Sequence, residues 1–214
     1  MHMDFELRKQ LNRDMISLIG KQNILNAVSD SISKVNELYE RFNNIELSWL
    51  MAGEVPLLVG NYQTQGRYIE FAFARDRDIN GFLFRQGDEH KNEKDAECYQ
   101  IPKSLPEQYN VFLKDVCDPH KYGIELKTTS TGTPTGNKAV AGGTEITEQS
   151  IKSDRDSFYL FITNIKSGIK TSHLEITDYN VYFGFLKQDD WVGGDKGAWS
   201  KVTKESRSSM IRLK

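Results

Sequence analysis

From Asp4 to about Asn43 the apolar residues recur at the spacing of a helix, and after Trp49 that spacing disappears. Leu7, Leu11, Met15, Leu18, Ile19 and Leu25 fall near i, i+3, i+4 and i+7. Asp30 or Ser31 could cap a second helix carrying Ile32, Val35, Leu38, Tyr39 and Phe42. The pattern predicts a helical hairpin or a bent helix over residues 1–50. Its apolar stripe serves either the core or a dimer face. Beyond it, VPLLVG, RYIEFAFA and NGFLFRQG are rich in β-branched and aromatic residues, with Gly, Asn or Asp between them. They read as a strand meander. In the second half, YNVFLKDVC, IELKTT, SFYLFITNI and HLEITDYNVYFGFL are strand candidates, and TEITEQSIKSD is a short helix with Thr144 as its cap. The result is α/β or α+β around one central sheet, with residues 1–50 a helical segment and 51–214 the sheet-bearing core of the same compact domain.

A chain of 214 residues can bury a real core. Its 38% hydrophobic and 27% charged residues are ordinary for a globular protein. A formal net charge of -2 argues against a basic nucleic-acid coat but not against a local basic cleft. Cys98 and Cys117 have no metal-ligand spacing, which fits a reduced, cytoplasmic protein. No apolar run approaches the roughly 18 residues of a membrane span, and the amino terminus has no signal-peptide pattern. The charged run Gly87–Glu97, with His90, reads as a solvated loop. There is no nucleophile elbow, no phosphate-cradling glycine loop and no zinc-type His/Cys spacing.

The chemistry concentrates in one stretch, GIELKTTSTGTPTGNKAVAGG, from Gly123 to Gly143. Residues two apart in a strand share a face, so Glu125 and Lys127 point the same way, with Leu126 opposite. A second match, Glu89-His90-Lys91, lies in the polar run. If VFLKDVC is a strand and DPHKYG a turn, the hairpin brings Asp115 beside Glu125. Two neighbouring carboxylates repel unless a cation sits between them, and hard oxygen donors suit Mg²⁺. Lys127 can then orient or deprotonate a water, or stabilise charge growing on a phosphate. The bland reading of the same pair is a surface ion pair of little energetic worth.

Asp115, a turn, then Glu125-Leu126-Lys127 resembles the PD-(D/E)xK nuclease signature in the form found in type II restriction endonucleases. KDVCDPHKYGIELKTT is most similar to the EcoRV and PvuII branch. The resemblance covers about Lys114 to Gly143 and continues loosely to FGFLKQDDW. The Pro of the signature follows Asp118 instead of preceding Asp115, which leaves the first acid open between the two; Asp-Pro commonly starts a turn, so Asp115, within the strand, is the first choice and Asp118 the reserve. The resemblance implies a restriction-endonuclease-like central mixed sheet flanked by helices. It implies a metal held by Asp115, Glu125 and the Leu126 backbone carbonyl, with Lys127 completing the catalytic set. It also implies double-stranded DNA as substrate, 5′-phosphate ends, a homodimer on a palindromic site, and a cognate methyltransferase as a genetic rather than a physical partner.

Thr128, Thr129, Ser130, Asn137 and Lys138 are the expected DNA contacts. Hydroxyls, amides and ammonium groups reach phosphates and base edges, and the glycines let backbone approach. Lys201, Lys204, Arg207, Arg212 and Lys214 form a basic tail, read mainly as a solvated terminus. Two other functions remain open: a repair or junction-resolving nuclease on the same core, and a non-catalytic DNA-binding or structural protein in which Glu125–Lys127 is only an ion pair.

Overall fold

The computed structural model describes residues 2–43, 69, 72–73, 77–79, 82–86, 96–99, 105–113, 121–129, 134–138, 157–167, 175–193 and 199–214. The VPLLVG run, the Thr144 helix, the Glu89–Lys91 motif, Asp115, Asp118 and Ser130 lie outside them. The architecture is mixed α/β.

Two helices open the chain, α1 (His2–Ile19) and α2 (Lys21–Asn43). The break falls at Gly20, not at Asp30 or Ser31. Gly20 has φ +92°, a conformation that ends helices and suits glycine. Its N–H donates to the Ile16 carbonyl at 2.8 Å, and its own carbonyl accepts from the Ile24 N–H at 3.1 Å. One residue therefore closes α1 and starts α2. Ser31 sits mid-helix and turns its hydroxyl back to the Ala27 carbonyl at 2.7 Å, while Asp30 pairs with Lys34 at 3.0 Å. A β-carbon at position 20 would stand 2.7 Å from Asn23 Nδ2. Gly20→Ala is expected to cost about 1–2 kcal/mol, since the left-handed backbone disfavours any L side chain. Urea unfolding of the two proteins checks this.

Seven strands form the main sheet: β1 (Arg77–Ile79), β2 (Phe82–Gln86), β3 (Ala96–Tyr99), β4 (Lys121–Thr128), β6 (Ser157–Ser167), β7 (Ile176–Leu186) and β10 (Ile211–Arg212). Their order is β1-β2-β3-β4-β6-β7-β10. β4 and β6 run parallel, and the other neighbours are antiparallel. A second sheet, ordered β5-β9-β8, joins β5 (Thr135–Lys138), β8 (Trp191–Gly193) and β9 (Trp199–Val202). SFYLFITNI and HLEITDYNVYFGFL thus become one long strand each, and NGFLFRQG supplies β2.

Two strand expectations are corrected. RYIEFAFA is helical at Ile69, Ala72 and Phe73, with Ile69 and Phe73 buried one helical turn apart. YNVFLKDVC is not a strand at its start. Glu107–Tyr109 forms a 3-10 turn behind Pro106, and α3 (Asn110–Leu113) follows it. Tyr109, Phe112 and Leu113 are buried at i, i+3 and i+4, the spacing of a helix face. The rest of the expected hairpin, residues 114–120, lies outside the described residues. β4 pairs with β3, whose Ala96 and Glu97 end the run expected to be a solvated loop.

The sheet separates two cores. Toward the helices, Ile124, Leu126, Phe158, Leu160, Ile162, Val181, Phe183 and Phe185 pack with Leu11, Met15, Ile19, Ile24, Val28, Ile32, Val35 and Tyr39. Most of the described apolar stripe of α1 and α2 packs into this core, with Leu7, Leu18 and Leu25 partly buried against it. On the other face, Tyr159, Phe161, Leu186, Trp191, Val202 and Met210 form a smaller cluster. Two amides, Asn12 buried and Asn36 part-buried, tie helices to strands. Asn12 accepts from the Phe185 N–H at 2.7 Å and donates to the Ser209 carbonyl at 2.9 Å. Asn36 brackets Ile176 at the start of β7, accepting from its N–H at 2.8 Å and donating to its carbonyl at 3.1 Å. Tyr109 donates to Asp14 on α1; burial first, and that hydrogen bond second, push its phenol pKa up.

The carboxyl terminus is not simply a solvated tail. Thr203 caps α4 (Lys204–Ser209) by accepting from the Ser206 N–H at 3.1 Å. Met210 and Leu213 are buried, and β10 pairs with β7. Asp190 organises this region. It accepts from Arg8 Nη1 at 2.5 Å, from the Ser206 hydroxyl at 2.6 Å and from the Lys187 N–H at 2.6 Å. Lys204, Arg212 and Lys214 remain exposed, and Arg207 is half-buried.

Candidate functional site

β4 carries the Glu-x-Lys pair on an interior strand, between antiparallel β3 and parallel β6. The strand reads out the period-two pattern as expected. Ile124 and Leu126 are buried on the helix side, in the large core. Glu125 and Lys127 share the opposite face. The register places Glu125 beside Tyr159 and Lys127 beside Phe161, both members of the smaller core.

Lys127 Nζ donates to Glu125 Oε1 at 2.7 Å. The side chains are 9% and 15% exposed, respectively. This decides against a solvated surface pair. An exposed pair adds at most about 1 kcal/mol, but a pair this sheltered has lost most of its hydration, so removing either partner strands a charge. Tyr159 and Phe161 stack on each other with ring centroids 5.7 Å apart, and Trp191 packs tilted against Tyr159 at 5.2 Å.

Of the other expected residues, Thr128 closes β4 and Thr129 follows it directly, both half-buried. The Thr129 N–H donates to the Ile162 carbonyl at 3.0 Å, and the Thr129 carbonyl accepts from Ile165 at 3.2 Å. That backbone is already committed to the sheet. Asn137 and Lys138 belong to a strand, not to a loop: β5 pairs antiparallel with β9, with Thr135 opposite Lys201 and Lys138 opposite Trp199. Ser130, Asp115 and Asp118 lie outside the described residues.

The sequence reading missed one acidic residue. On β3, Glu97 stands opposite Gly123, two positions before Glu125. Its signal was the acidic pair in Asp95-Ala96-Glu97, at the end of the charged run. It went unread because the register of β3 against β4 is a long-range property. Among the described residues no group of three or more His, Cys, Asp or Glu side chains is arranged to hold a metal. The donors on β4 are the Glu125 carboxylate and backbone carbonyls. They are hard oxygens of the kind Mg²⁺ takes, and Mg²⁺ commonly binds through one or two carboxylates.

No helix among the described residues is long and apolar enough to cross a membrane. No family model, curated protein or solved structure matches this chain.

Proposed function

We propose that this chain is a Mg²⁺-dependent, sequence-specific endonuclease of double-stranded DNA, of the type II restriction class and with a restriction-endonuclease-like core. The observation that carries the reading is the sheltered Glu125–Lys127 pair on an interior strand of a mixed sheet. Acid, spacer and base on one strand face give a carboxylate for a hard cation and an ammonium within reach of the same phosphate. Glu125 and the Leu126 backbone carbonyl would hold the cation, with Asp115, or Asp118 in its place, as the second carboxylate. Mg²⁺ supplies Lewis-acid polarisation of the phosphate and neutralises its developing charge. Lys127 orients the attacking water or balances charge on the phosphoryl oxygens. The products carry 5′-phosphates. Thr128 and Thr129, with Ser130, Asn137 and Lys138 further along, supply DNA contacts. Two copies act on a palindrome, one at each half of the site.

The test is incubation of the purified protein with supercoiled plasmid, with Mg²⁺ and with EDTA. Discrete fragments that need Mg²⁺ support the reading. Nicks confined to branched or damaged substrates move it to a repair or junction-resolving nuclease. Intact plasmid under all conditions removes it. A second reading has its own observation. A Glu–Lys pair with side chains only 15% and 9% exposed is also what a structural ion pair looks like. On that reading the protein binds DNA, or scaffolds, without cutting.

A further inference from the structure

We propose that the β10 edge of the main sheet is a docking surface for duplex DNA, with Arg212 and Lys214 as its phosphate contacts. The proposal rests on the DNA binding in the reading above and not on cleavage. It begins from charge. From Trp199 to Lys214 the cations Lys201, Lys204, Arg207, Arg212 and Lys214 are set against the single acid Glu205, a formal charge of +4. The whole chain carries -2, so the remaining residues together carry -6. A positive surface on a negative protein draws a polyanion to that place and repels it elsewhere. The segment is held by its own apolar residues. Met210 and Leu213 are buried and β10 pairs with β7, while Lys204, Arg212 and Lys214 are left exposed.

Two of these cations are fixed in place. Arg212 Nη2 donates to Asn180 Oδ1 at 2.6 Å, and its Nε donates to the Lys214 backbone oxygen at 2.9 Å. Its guanidinium carbon lies 6.0 Å from the centre of the Tyr182 ring, and Lys214 Nζ lies 3.5 Å from the centre of the Tyr179 ring. Ordering a long charged side chain on a ligand costs entropy. Here much of that ordering precedes any partner. A guanidinium has five N–H donors, so two hydrogen bonds leave it others for a phosphate. The register also ties the edge to Lys127. Lys127 stands beside Phe161, Phe161 opposite Tyr182, and Tyr182 opposite Arg212, so Lys127 and Arg212 end one row across four strands. Three strand spacings separate them, about 14 Å, or about four base steps of duplex. One short stretch of DNA can therefore meet both. The exposed acids at the start of β7, Glu175 and Asp178, lie beyond the residues that β10 pairs with.

The test is duplex binding by fluorescence anisotropy over a series of salt concentrations, in EDTA so that no cleavage intervenes. Three proteins are compared: the unmodified one, the edge variant Arg212→Gln/Lys214→Gln, and Lys21→Gln/Lys34→Gln, which removes two cations from α2. Each phosphate contact adds about 0.9 to the slope of log affinity against log salt, so the edge variant should lose about 2 from that slope. Its affinity should fall about tenfold or more at about 0.1 M salt, on every duplex sequence alike. The α2 variant should keep the unmodified slope. Equal slopes in the unmodified and edge proteins overturn the proposal and leave the DNA-binding reading standing; the basic edge then only discourages pairing between copies. Equal losses in the edge and α2 variants also overturn it, since net charge alone accounts for them. No duplex binding by the unmodified protein at low salt overturns the proposal together with the reading, and binding to phosphatidylserine vesicles in its place moves the edge to a membrane surface. Should the edge variant fail to fold, Lys214→Gln alone gives the answer: a slope lower by about 1 supports the proposal, and an unchanged slope overturns it.

Discussion

Glu125→Gln will leave no measurable Mg²⁺-dependent cleavage, a loss of at least about a thousandfold. The substitution preserves the shape of the side chain and removes its charge, so the cation site proposed for this face would lose its principal donor on β4. Electrostatic stabilisation of a developing charge is often the largest single contribution to rate, and one missing group of this kind costs about 100- to 1000-fold by itself. Here loss of cation binding is added to it. Lys127→Ala should fall as far while DNA binding persists, because the lysine is not a cation ligand. Gel-shift and cleavage measurements on the same preparations separate the two effects. A Lys127→Ala protein that cuts at the unmodified rate would sink the assignment.

The second large effect is on stability. Asp190→Ala should destabilise the fold by about 3–5 kcal/mol, the range for removing one partner of a buried charge pair. Asp190 is 7% exposed and holds three elements at once: α1 through Arg8, α4 through Ser206, and its own turn through the Lys187 N–H. Its removal leaves Arg8, itself 8% exposed, without that partner. Denaturant unfolding monitored by circular dichroism measures the change. A loss below about 1 kcal/mol, the level of an exposed pair, would mean that the network is solvated and contributes little.

The sequence was most legible where local pattern and final environment agree. β6 and β7 are long apolar and aromatic runs, and they became the two longest strands of the sheet, paired with each other. Glu125 and Lys127 share a face because a strand alternates, and no knowledge of the partner strands was needed. Local pattern failed in short apolar runs. Val111-Phe112-Leu113 looks like a strand in isolation, but Tyr109, Phe112 and Leu113 bury a helix face against the core, and Val111 is left 64% exposed. β3 was hidden for the opposite reason. Its residues are mixed in character, and only pairing with β4 makes them a strand. The carboxyl terminus read as basic because Lys and Arg dominate it. Met210 and Leu213, spaced three apart, are what bury it. The break between α1 and α2 was misplaced because Asp30 and Ser31 resemble caps, whereas the left-handed Gly20 was the stronger signal. The sheltering of Glu125 and Lys127 depends on the crossover from β4 to β6, which no local pattern encodes.

The central claim is that the Glu125–Lys127 pair performs chemistry and is not there only to hold the strand. The double variant Glu125→Gln/Lys127→Met tests it most directly. It replaces a sheltered ion pair with neutral side chains of similar size, an exchange often neutral or even favourable for stability. Unfolding free energy and plasmid cleavage are measured on one preparation. The account predicts a protein folded about as stably as the unmodified one, within roughly 1–2 kcal/mol, with no detectable Mg²⁺-dependent cleavage. A folded double variant that cuts plasmid at the unmodified rate would contradict it.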